Sequence, residues 1–197
     1  MLGSLILLTA LAWLTVFFVY IIKTDKPLLE QSLSHWYHSA EGLTGSTAQF
    51  YSRVQELVTE RRMPGVVMKV ISWHEAGFLS DKRDYLRVRR HEYTFDLCVA
   101  PFGNTLFVST WLAAEPQSFM EWIAPVPFFG VVGRLYIRLF RPYTYYSIDA
   151  GLMFQGAVQG AVLKVLDEMS LLQGVEPIPE SLRKPAFTEL YGRKAAR

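Results

Sequence analysis

Cysteine is nearly absent: Cys98 stands alone among 197 residues, which excludes an intramolecular disulfide framework and suits a reducing compartment. Charge of one sign is not in excess either. Twenty Lys and Arg against eighteen Asp and Glu leave a net charge of +2, so no global electrostatic pull toward nucleic acid exists. The chain also lacks a glycine-rich phosphate loop, a GxSxG elbow, an HExxH helix and a CxxC pair, each of which would have placed reacting groups at a defined spacing. What remains is apolar: 51% hydrophobic and 14% aromatic residues against 19% charged, with a mean hydropathy of +0.17. That composition excludes a disordered chain. The length suits one compact domain with a membrane segment.

The longest apolar run covers residues 2–22, 21 consecutive positions without a charge. At ~1.5 Å per helical residue this spans roughly the ~30 Å hydrocarbon core, so residues 1–23 are expected to form a single transmembrane anchor. Trp13 lies deep in the run, while Tyr20 near its end, followed by Lys23 and Lys26, supplies an interfacial anchor and a positive flank. Ala10 and Ala12 imitate a signal-peptidase site, but no Lys or Arg precedes the run, which continues ten residues past Ala12. An uncleaved anchor is the preferred reading. The positive-inside rule then places the globular part in the cytoplasm of a single-pass membrane protein.

Residues 24–45 read as a linker with a short helical stretch around residues 28–38. Ser46 with Gln49 forms a capping-box pattern ahead of Phe50, Val54, Leu57 and Val58, predicting a helix over residues 47–62 that Pro64 and Gly65 end. Period-two alternation then runs from Val66 to Leu112, and its short connections predict four antiparallel strands in sequence order. Asp149 is the expected N-cap of a long helix over residues 150–172, with Gly174 as its stop. Gly156 and Gly160 stand four apart on it, where small residues admit a close neighbouring backbone, either the sheet or a dimer seam. The expected fold class is therefore α+β: an N-terminal transmembrane helix, then a four-stranded antiparallel sheet packed with two main helices. The domain is expected over residues 46–174, with residues 175–197 as a tail whose residues 186–191 make a last helical turn.

Residues 119–146 are too long for an unadorned loop and, with Pro125 and Pro127, too interrupted for a second crossing. Arg134, Arg138 and Arg141 fall at i, i+4 and i+7, alongside Trp122, Phe128 and Phe129. Cations reaching phosphates beside aromatics entering the acyl boundary describe an amphipathic segment in the headgroup layer. Contact with a partner protein, or cover for an open sheet face, are the competing readings.

No catalytic set assembles from the sequence. His35 and His38, at i and i+3, would share a helical face, but no third ligand stands at motif spacing. Cys98 shares a strand face with Asp96, a neighbour that disfavours a thiolate. Lys82, Arg83, Arg87, Arg89 and Arg90 make a basic cluster, read as a salt-bridged solvent face because Asp81, Asp84, Glu92 and Asp96 interleave with it. The expectation is a non-catalytic, membrane-anchored accessory subunit. It would stabilise or organise a larger membrane complex, an energy-converting one being a candidate, with lipids and integral-membrane proteins as partners, no nucleic acid and no cofactor or metal. A membrane-tethered lipid- or amphiphile-binding module is the alternative.

Overall fold

The computed structural model describes residues 32–74, 82–115, 135 and 144–187. The anchor expected at residues 1–23 and most of the stretch expected at 119–146 lie outside the described residues; its last two residues, Tyr145 and Tyr146, begin a helix. Among the described residues no helix is long and apolar enough to cross a membrane.

The elements follow in the order β1 (Ser32–Glu41), α1 (Thr47–Glu60), β2 (Val66–His74), β3 (Lys82–Arg90), β4 (Tyr93–Phe102), β5 (Thr105–Ala114), α2 (Tyr145–Gln173), a 3-10 turn (Glu180–Leu182) and the two-residue β6 (Ala186–Phe187). The fold is α+β. Its antiparallel sheet has five full strands rather than the expected four, in the order β2-β3-β4-β5-β1, with β6 appended to the outer side of β1. The meander β2 to β5 matches the sequence reading.

The additional strand comes from the stretch read as a linker with helical character. Strand periodicity decides it: Ser34, Trp36 and Ala40 are buried while Tyr37, Ser39 and Glu41 are exposed, a period of two that apolar spacing at three and four had obscured. β1 pairs with β5 from Ser32 opposite Ala113 to Glu41 opposite Thr105, with a bulge between Ser32 and Ser34. The body therefore begins before residue 46 and, through β6, runs past residue 174. At residues 186 and 187 the tail is extended against Ser34 and His35, not helical.

Both described helices cover one face of the sheet. From α1, Phe50, Val54, Leu57 and Val58 are buried at helical spacing; from α2, Phe154, Val158, Ala161, Val162, Val165 and Leu166 are. They meet Leu86 and Val88 of β3, Phe95, Leu97 and Val99 of β4, and Leu106, Val108 and Leu112 of β5 in one core. Polar links fix the helices to the sheet inside it. Gln155 donates to Ser34 Oγ at 2.5 Å, Thr110 donates to Gln159 Oε1 at 2.9 Å, and the Tyr51 hydroxyl donates to the Asp84 carbonyl while accepting from the Val99 amide. Burial raises the Tyr51 pKa above its ordinary value.

The caps differ from expectation. Ser46 sits at the N-cap of α1 without a side-chain cap bond. α2 starts at Tyr145 rather than after Asp149, because Thr144 and Ser147 form a reciprocal capping box. Gly174 ends α2 in the left-handed conformation at φ 67°, as its position predicts.

Candidate functional site

The most distinctive chemistry lies on the sheet face opposite the helices. In the β3–β4 ladder Arg87 stands opposite Asp96, both on the face turned away from the core residues Leu86, Val88, Phe95 and Leu97. The Arg87 guanidinium donates from Nε to Asp96 Oδ1 at 2.7 Å and from Nη2 to Oδ2 at 2.8 Å, a bidentate pair that fixes both planes. Its Nη1 lies 3.8 Å from Glu115 Oε1, and its carbon centre sits 4.9 Å over the Trp73 ring. Arg89 completes the set with an ion pair to Glu115 and a 3.3 Å hydrogen bond to Thr94 Oγ1.

Arg87 is fully buried and Asp96 nearly so, which corrects the expectation of a solvated basic face at this position. Burial pushes the Asp96 carboxyl above its usual range, and the Arg87 guanidinium, held against it, pulls the other way. Two cations and two carboxylates make the cluster neutral. A guanidinium already bound at both edges has no open position for a substrate anion, so the arrangement locks β3 to β4 and to the end of β5. Cys98, on the same face as Asp96, is buried.

The histidines are separated by the strand that carries them. His35 stacks on Trp111 at 5.2 Å on the face opposite the helices, whereas His38 lies on the helix side near Trp36. Residues three apart on a strand point to opposite faces, so these imidazoles do not converge on a common ligand. Burial lowers the His38 pKa.

Two grooves open on the described surface. One of about 460 Å³ lies between α1 and the β2–β3 end, lined by Ser46, Thr47, Tyr51, Gln55, Val70 and Asp84. The other, about 260 Å³, follows β1 past His38 and Glu41 to Leu166 and Ile178. Both are lined by polar and apolar groups; beside the second, core side chains including Trp36, Val158, Val162 and Leu166 pack between the sheet and α2. No protein-family model, curated protein or solved structure matches the chain.

Of the residues singled out from the sequence, Trp13, Tyr20, Lys23, Lys26, Trp122, Phe128, Phe129, Arg134, Arg138 and Arg141 lie outside the described residues. Gly156 and Gly160 are both on α2, in different settings. Gly156 is exposed, with no described atom within 4 Å of where a Cβ would stand, while Gly160 lies under the Arg61 guanidinium, 3.2 Å from that position. The tightest approach on α2 belongs to Gly151, missed in the sequence, where a Cβ would meet the Tyr93 ring at 2.8 Å.

Two interaction surfaces remain. β2 is an edge strand: among the described residues nothing pairs with its outer side, and Val67 (65%) and Val70 (51%) are exposed along it. The second is the outward face of α2 near its start, where Tyr145, Tyr146, Leu152 and Met153 are exposed.

Proposed function

We propose that the protein is a non-catalytic, membrane-anchored accessory subunit that stabilises or organises a larger membrane assembly. The observation that carries this reading is the open β2 edge. Among the described residues no strand pairs with the outer side of β2 (Val66–His74), and Val67 and Val70 are exposed along it, the geometry onto which a partner strand adds. The Arg87, Asp96, Arg89 and Glu115 cluster on the neighbouring strands is neutral within itself, so main-chain pairing and apolar contact along the edge supply the affinity. Residues 1–23 serve as the anchor, residues 119–146 lie in the headgroup layer, and the body sits on the cytoplasmic side. The amphiphile-binding alternative calls for an apolar cleft between sheet and long helix; the packed core there favours the accessory reading.

A photo-crosslinking amino acid at Val70 tests it in native membranes. The expected product is a discrete adduct with an integral-membrane protein, weakened when Val67 is changed to Lys on the same edge. An uncrosslinked chain would overturn the reading.

A further inference from the structure

The β3–β4 ladder ends at Tyr85 opposite Cys98, while the β2–β3 ladder continues to His74 opposite Lys82. The Tyr51 hydroxyl marks the parting. It donates to the Asp84 carbonyl and accepts from the Val99 amide, two groups that would bond each other if the ladder ran one pair further. Past this point β2 and β3 continue as a two-stranded extension, and between it and the start of α1 lies the groove of about 460 Å³. On β2, Met68, Val70 and Ser72 stand opposite Val88, Leu86 and Asp84. Val88 and Leu86 belong to the core, so these positions face the helix side. Val70 lines the groove and is half exposed, which leaves the groove open over the edge strand.

Asp84 is the one ionised side chain among the groove's described lining residues. It is held twice: Tyr51 fixes its carbonyl, and its carboxylate accepts from the Ser72 hydroxyl. Because Ser72 belongs to β2, that bond draws the carboxylate across to the edge. Unlike Asp96, it forms no ion pair among the described residues, and a carboxylate has lone pairs for further donors. Lys82, two positions earlier on β3, does not line the groove. The start of α1 forms the facing wall with about half a positive charge, against the full negative charge of Asp84.

We propose that β2 selects its partner strand by charge as well as by backbone: the docked segment of another protein carries Lys or Arg opposite Ser72 and an apolar residue opposite Val70. The inference rests on the reading of β2 as the docking edge and adds what the docked strand must carry. On an added strand both residues project to the helix side, with Cβ atoms about 5 Å from those of Ser72 and Val70. The first meets the Asp84 carboxylate, and the second extends the apolar floor that Val70 and Ala48 give the groove. A carboxylate already fixed by Ser72 needs no ordering when the cation arrives.

The test uses the full chain in detergent with fluorescein-labelled peptides Thr-Val-Thr-X-Thr-Val-Thr, symmetric so that either strand direction places X opposite Ser72 and a Val opposite Val70. With X as Lys, Met or Glu, fluorescence anisotropy should rank affinity in that order, by about two- to five-fold per step, the range of an exposed ion pair. Asp84→Asn, which keeps an acceptor for Ser72, should erase the ranking, and Asp84→Lys should reverse it. Equal affinities for the wild type would overturn the inference and leave the docking edge standing. A preference for Glu would overturn it too, and would mean that the start of α1 sets the sign. If no peptide binds, or if the Lys peptide binds equally well with N-methylated amides, β2 accepts no strand, and the docking edge falls together with the inference.

Discussion

Arg87 is the largest fully buried side chain among the described residues, and it remains charged because guanidinium does not deprotonate in proteins. Its stability therefore depends on Asp96. Changing Asp96 to Leu leaves the cation buried without its bidentate partner, and changing Arg87 to Met strands the carboxylate. Each single change should cost about 3–5 kcal/mol, while the double change to Met and Leu should recover most of that loss, since a buried pair is often no better than apolar residues of similar volume. Denaturant titration of the detergent-solubilised chain as a double-mutant cycle reads this directly. The pair was partly legible: alternation put Arg87 and Asp96 on the outward sides of their strands. Its register was readable too, because a two-residue turn at His91 and Glu92 places Arg90 against Tyr93 and hence Arg87 against Asp96. What misled the sequence reading was the habit of charge clusters to be solvated, which local pattern alone does not override.

At the scale of elements, strongly periodic segments were readable and the first strand was not. α1, α2 and the β2–β5 meander each carry an uninterrupted period, whereas β1 mixes Ser and His into its buried side, as at Ser34 and His38, and its identity as a strand depends on β5. The same dependence on partners governs the glycines of α2. Gly156→Ala should stabilise by about 0.5–1 kcal/mol, because a Cβ there enters open space and alanine loses less backbone entropy than glycine. Gly151→Ala should destabilise by about 1–3 kcal/mol through overpacking against Tyr93. Thermal unfolding of both variants checks the opposite signs. Between α1 and α2, Arg53 grips Glu168 through Nε at 3.0 Å and Nη2 at 3.2 Å and holds its pKa below the ordinary 4.5. A carboxylate with a lowered folded pKa stabilises above its unfolded value and loses that contribution as pH falls through the folded one. Wild type and Glu168→Gln should therefore differ in melting temperature at pH 7 and converge as the pH drops below about 4.5. Added salt should narrow the gap, since both side chains are substantially exposed.

For the whole molecule, the described body is a sheet with helices on one face, a neutral charge cluster on the other, an open edge at β2 and an apolar corner where α2 begins. The proposal that the chain is held at a membrane rests on residues 2–22, a run long enough and free enough of charge to cross it. Alkaline carbonate extraction of membranes bearing the native full-length protein tests it most directly. The account predicts that the intact chain, residues 1–23 included, sediments with the lipid. A processed form beginning after residue 23 and recovered in the soluble fraction would contradict it.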